Sequence, residues 1–158
     1  MASFADDLLQ QAYHLARKER LNPRQASLRR AVSTAYYALF HLLIDEATAK
    51  WGIARQRGMI GRTFEHGKMN SVCQEHMKRF YKTGRPADGV QLNRVAEAFE
   101  ELQRRRHLAD YDNSLIWSRA DAIAAIDASA AAFNDWRSIR ESEAAQDFLL
   151  QLFLPKIK

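Results

Sequence analysis

An all-α fold is predicted, an up-and-down bundle of about four to six helices, and three observations predict it. Apolar residues recur at spacings of three and four along successive segments, as one face of a helix requires. The six glycines and three prolines punctuate those segments rather than form linkers. No segment alternates apolar and polar residues as a half-buried strand does.

From Ala5 to Arg20 the positions Leu8, Leu9, Ala12, Leu15 and Ala16 mark one helical face, and Asn22-Pro23 ends the segment. A long second helix from about Arg24 to Lys50 carries Leu28, Ala31, Val32, Ala35, Leu39, Leu42 and Leu43 on one stripe, which places it against the centre of the bundle. Trp51-Gly52 closes it, and a basic connection with Gly58 and Gly61 follows. The segment from about Thr63 to Tyr81 is read as a helix, broken by Gly84, Pro86 and Gly89. Val90 to Leu108 forms the next, with Val95, Ala98, Phe99 and Leu102 apolar, and Asp112-Asn113-Ser114 stops it. Ser118 with Asp121 three residues on resembles a capping box, although Glu or Gln is usual at the third position, and an Ala-rich helix runs from there to about Ile139. A last helix, about Glu143 to Phe153, is expected to stop at Pro155.

The chain has 158 residues, the size of one ordinary domain, and no repeat or low-complexity tract divides it. A single domain over residues 1–158 is expected. The lone Cys73 cannot close an intrachain disulfide, and the start, MASFADDLLQQA, has two aspartates where a secretory signal needs a basic and then an apolar run. A cytoplasmic protein is the expectation. The most apolar stretch, Ala31 to Ile44, is interrupted by Ser33, Thr34 and His41 and is shorter than the roughly 20 residues of a membrane span, so no membrane partner is expected. The formal charge is +5, with Arg17, Lys18, Arg20, Arg24, Arg29 and Arg30 crowded in one region and Arg104, Arg105 and Arg106 in another. Such surfaces attract phosphates, though basic runs on helices are more often solvated faces.

Three segments carry a resemblance. SLRRAVSTAYYALFH, Ser27 to His41, resembles the signature helix of HEPN domains, with its paired tyrosines and following phenylalanine. RTFEHGKM, Arg62 to Met69, is similar to that family's His-Gly helix start, and RRRHLADYD, Arg104 to Asp112, to its arginine-then-ADY stretch. The resemblance implies a homodimer, an RNA or nucleotide ligand, and a nucleotidyltransferase partner protein, with this chain as the toxin-like half of a two-component system. It also implies metal-independent ribonuclease chemistry in many members: an arginine, four to six residues, then a histidine, with a tyrosine two positions further in some. An imidazole moves the proton and a guanidinium offsets phosphate charge. No arginine here has a histidine at that spacing. The nearest match is Arg104, then Ala109 where histidine is expected, then Asp110 and Tyr111. The resemblance therefore implies a binding protein with a degenerate ribonuclease site.

Helix spacing gives further candidates. Arg30, Thr34, Tyr37 and His41 line one polar stripe of the second helix, while Tyr36, Tyr37 and Phe40 read equally as core residues whose hydroxyls reach a partner. Arg104, His107, Leu108 and Tyr111 share a face, suited to phosphate or to a solvated helix end. His107 and His66 are the alternative imidazoles for a working ribonuclease, and Arg30, Arg62, Arg104, Arg105 and Arg106 the phosphate-binding candidates. There is no Glu-x-x-His pair, closely spaced Cys/His cluster, P-loop or dinucleotide glycine pattern, so no metal or cofactor is expected. A purely structural interaction module is the third reading. The apolar run Phe148, Leu149, Leu152 and Phe153 calls for cover, from its own bundle or from a second subunit.

Overall fold

The periodic segments become helices wherever their apolar stripes find cover. The computed structural model describes residues 2–154, in which seven α-helices follow one another: α1 (Phe4–Ala16), α2 (Gln25–Thr48), α3 (Ala54–Gly61), α4 (His66–Lys82), α5 (Val90–Tyr111), α6 (Arg119–Ile139) and α7 (Glu143–Phe153). A single 3-10 turn, Ala87–Gly89, leads into α5, and no strand forms among the described residues.

Local chemistry sets several of the ends. Ser3 and Asp6 make a reciprocal capping box on α1, and Ser118 and Asp121 make another on α6, where Asp121 N–H donates to Ser118 Oγ at 3.0 Å and Ser118 N–H to Asp121 Oδ2 at 2.9 Å. The shorter Asp thus serves in place of Glu. Glu19 accepts from the Arg24 N–H at 2.8 Å and from Ser27 Oγ at 2.8 Å, so a carboxylate from the preceding turn caps α2. At the end of α4, Gly84 takes φ 85°, and its N–H and that of Arg85 reach back to Tyr81 O and Phe80 O, a Schellman ending that needs the glycine.

Helix α2 lies at the centre. Its buried Leu28, Ala31, Val32, Ala35, Leu39 and Leu43 face α1, α5 and α6. Alanines at 31, 35 and 38 let neighbouring backbones come close, and Ser129 Oγ of α6 donates to Ala35 O at 2.9 Å across the gap. Helix α4 packs outside α5, and α7 closes on α2 and α4. No helix among the described residues is long and apolar enough to cross a membrane.

Three expectations change. Seven α-helices exceed the four to six expected, because the basic connection folds as α3, a helix with no buried residue and hence no apolar period to read. Helix α1 ends at Ala16 rather than near Arg20, and the chain then turns to Asn22, which adopts the left-handed φ of 51° that Asn tolerates. Most of the C-terminal apolar run is covered from within: Phe148, Leu149 and Leu152 are buried in the core, while Phe153, 37% exposed, packs its ring 6.1 Å from both Trp51 and Phe64. The three buried residues need no second subunit for their cover. Pro155, the expected stop of α7, lies outside the described residues.

Trp136 is fully buried against Phe148, and its replacement by Ala is expected to lower stability by about 3–5 kcal/mol. Ile116→Asp, on a side chain 86% exposed, is expected to change it by less than about 0.5 kcal/mol. Urea denaturation followed by circular dichroism separates the two.

Candidate functional site

The paired tyrosines of α2 part company on folding. Tyr36 is fully buried, while Tyr37, one residue on, is half-buried at the surface of the bundle. The Tyr36 hydroxyl lies 2.6 Å from His66 Nδ1, and His66 is the first residue of α4. The imidazole stacks on Phe40 at 4.2 Å between centroids and meets the edge of Tyr37 at 5.8 Å. From α5, Arg106 lays its guanidinium over the Tyr36 ring at 5.2 Å and the Tyr37 ring at 5.7 Å, and pairs with Asp110 at 3.7 Å. Three helices thus meet in one knot of aromatic, imidazole and guanidinium groups.

Desolvation dominates its proton equilibria. Burial holds the His66 imidazole below its ordinary value of 6.5, and the positive Arg106 and His41 push the same way. Its place at the positive end of the α4 dipole acts in that sense too. Burial likewise lowers His41, partly opposed by Asp45, and raises the Tyr36 phenol well above 10.0. His66 is consequently a neutral imidazole at pH 7, its ring held by one hydrogen bond and one stacking contact.

His66 also lines a wide cleft of about 750 Å³ between α2, α3 and the start of α4. Phe40, Ile44 and Phe64 give it apolar walls; His41, His66, Arg57 and Arg62 give it donors and charge; Asp45 is the acidic group that lines it. Arg57 is steadied by a 2.6 Å bond to Trp51 O. Such a volume is within the roughly 300–1,000 Å³ of small-molecule sites.

The residues picked out from sequence are divided among different places. His66 and Arg62 share the wide cleft. Arg104, Arg106 and His107 line a separate groove between α4 and α5, of about 350 Å³. Arg30 and Tyr111 border a third, shallow depression beside Arg29 and Asp110. Arg105 lines none of the three. The arginine run is also not a free basic face. Arg104 and Arg105 both pair with Glu101, and the Arg106 side chain is only 14% exposed and packed in the knot. Tyr111 is 67% exposed, with its ring 5.0 Å from that of His107, so the stripe on α5 does face outward.

Position 109 needs a correction. The spacing places the missing histidine there, but Ala109 is 1% exposed and its side chain belongs to the core, with its carbonyl accepting from Arg29 Nη1 at 2.9 Å. A histidine there would have to be fitted into the core. Sequence reasoning missed Arg57, hidden in a segment without periodicity. It placed His41 on the polar stripe of α2 without joining it to His66. Asn70, Glu100 and Gln103, which line the second groove, carry no motif at all. Comparison with family models, with curated proteins and with solved structures finds no match for the chain.

Two outcomes follow from this geometry. His41, His66 and His76 are all held below 6.5 by burial, so the unfolded chain binds protons more readily than the folded one. Stability is therefore full above about pH 6.5 and falls as the pH drops through the lower folded values. Urea midpoints between pH 5 and pH 7.5 check this, and His66→Gln should flatten the slope. Ala109→His is expected to destabilise by about 1–3 kcal/mol through overpacking and to produce no RNA cleavage in the presence of chelator.

Proposed function

We propose that the chain is a nucleic-acid- or nucleotide-binding protein of the HEPN type, the toxin-like half of a two-component pair, which holds its ligand without cutting it. The observation that carries this reading is the wide cleft, where Arg57, Arg62 and the imidazoles of His41 and His66 surround the apolar walls of Phe40 and Phe64. Aromatic faces stack bases of any sequence, and guanidinium forks match phosphate oxygens, so the combination suits a phosphorylated base. The resemblance of its segments to HEPN domains adds the expectation of a homodimer and of a nucleotidyltransferase partner. The wide cleft replaces the arginine run as the principal contact region, because Glu101 already offsets Arg104 and Arg105.

A second reading has its own support. The Tyr36 hydroxyl fixes one ring nitrogen of His66 and the imidazole is neutral, as a general base needs. His66 is then the imidazole of a metal-independent ribonuclease, in preference to the exposed His107. Cleavage of RNA in chelator that disappears in His66→Gln favours this reading over binding alone.

The test of the binding reading is fluorescence anisotropy with labelled single-stranded RNA at two salt concentrations. Arg57→Ala combined with Arg62→Ala is expected to weaken binding and to reduce the salt slope by about 1.4, two phosphate contacts at roughly 0.7 each. Arg104→Ala combined with Arg105→Ala should cost less. Arg106 is left intact, since its removal strips the rings of Tyr36 and Tyr37. Unchanged affinity and slope in the Arg57/Arg62 variant rules out the cleft as the site.

A further inference from the structure

Residues 52–63, which carry α3, are held to the bundle mainly at their two ends. Before them, the Trp51 ring lies 6.1 Å from that of Phe153 in α7; after them, the buried Phe64 ring lies 6.1 Å from the same phenylalanine. One side chain thus pins both ends of the segment. Between these posts little else reaches the bundle. Among the described residues, the hydrogen bonds of residues 52–63 all close within residues 51–64. Arg57 N–H donates to Ile53 O at 3.1 Å, Arg57 Nη1 to Trp51 O at 2.6 Å, Arg62 N–H to Gly58 O at 3.2 Å and Thr63 N–H to Ile60 O at 3.0 Å.

Packing adds little more. No residue of α3 is buried; Ile60 packs against the core, and Gly61 lies so near Ile44 that a β-carbon there would meet its Cγ2 at 3.3 Å. No side chain caps the start of α3, and a helix of 8 residues that contains Gly58 and Gly61 is marginal by itself. Elements with few buried apolar contacts and with backbone hydrogen bonds open to solvent unfold locally, at far lower cost than the whole domain.

What the segment covers gives its opening a consequence. Arg57, Gly58, Gly61 and Arg62 form one wall of the wide cleft, while His41, Asp45 and Thr48 of α2 and His66 of α4 stand on the other. The guanidinium groups therefore belong to the segment, and the imidazoles and the carboxylate to the bundle. We infer that residues 52–63 form a strap over the wide cleft, which opens by local unfolding of α3 between the posts Trp51 and Phe64 and so admits ligand while the bundle stays folded. The inference rests on the reading above for the cleft's being a binding site, but the opening itself needs no ligand.

Native-state hydrogen exchange of the full chain, read by mass spectrometry in zero to moderate urea, tests it. Amides of residues 54–63 are expected to exchange on the order of a hundred-fold or more faster than those of α2, with little dependence on urea, since so small an opening exposes little surface. Access to the cleft is read from a thiol on its floor. Ile44→Cys places one under Gly61, and Cys73, fully buried in α4, marks global unfolding in the same molecule. The introduced thiol is expected to react with a soluble maleimide on the order of a hundred-fold faster than Cys73. The β-carbon of Gly58→Ala would lie 3.8 Å from the flexible Arg62 Nη1 and otherwise in open space, so the change favours the helix. It should slow both the α3 exchange and the labelling about four- to five-fold. Thr48→Cys, a second lining position, serves if Ile44→Cys does not keep the helicity of the parent. Exchange of α3 as slow as that of α2, a thiol labelled no faster than Cys73, or labelling indifferent to Gly58→Ala overturns the strap. Rapid exchange and labelling in a protein whose Arg57/Arg62 variant keeps its RNA affinity and salt slope sustain the strap and defeat the cleft as the RNA site. RNA binding weakened in that variant, with α3 exchanging no faster than α2, does the reverse.

Discussion

The hydroxyl of Tyr36 is the point on which three helices agree. It belongs to α2, it meets His66 at the start of α4, and its ring carries Arg106 of α5 while touching Phe99 at 5.4 Å. The side chain is fully buried, so its oxygen must have a partner, and His66 supplies one at 2.6 Å. That bond ties the first residue of α4 to α2, while α4 packs along α5. It holds His66 at the rim of the wide cleft, and Arg106 of α5 joins the same rings to the α4–α5 groove that it lines.

The second constraint is the charge on Arg106. A guanidinium at 14% exposure loses most of its hydration, and one carboxylate at 3.7 Å is a loose match for it. Two ring faces complete the environment, each worth roughly 0.5–2 kcal/mol. Lysine does not substitute here, since a compact ammonium is more strongly hydrated and lacks the planar face that stacks. Asp110 is itself oriented by Ser33 Oγ at 3.4 Å, which returns the network to α2. The positive charge so held also helps to keep His66 neutral.

Much of this fold was legible in the sequence, and the unread part has a common cause. Six of the seven helices have an apolar period because each buries a stripe, and α3 has none because no residue of it is fully buried and Ile60 alone packs against the core. The aromatic core of α2 was readable from residue type, as was the capping role of Ser118. The site was harder. Helix spacing groups residues of one helix, as it did for Arg104, His107 and Tyr111, but His66 and Arg106 are brought together by packing between helices. The arginine run shows the limit most clearly: three adjacent cations look alike in sequence, yet two share one glutamate at the surface and the third is buried against tyrosines. Ala109 shows it again, since a spacing rule cannot tell that five residues after Arg104 the helix has turned its side chain inward.

The net charge of +5 is likewise less available than it looks. Arg29 is bound to the carbonyls of Ala109, Asp112 and Leu115, Arg119 to those of Ala16 and Glu19, and Arg137 and Arg140 to Asp6 and Glu46. Arg29 and Arg119 satisfy carbonyls at or near helix C-termini, where a cation is favoured in any case. They are joints of the bundle rather than a landing surface. What remains at the wide cleft is a pair of arginines, with Asp45 lining the same cleft. A phosphate about 4 Å from one of them gains roughly 1 kcal/mol in bulk water and about 4 kcal/mol at an effective dielectric of 20. Stacking of a base on an aromatic ring contributes about 1–3 kcal/mol, the same order, and salt does not screen it. Affinity in such a cleft depends on the aromatic walls as much as on the guanidinium groups, so it falls less steeply with salt than affinity built on a basic face alone.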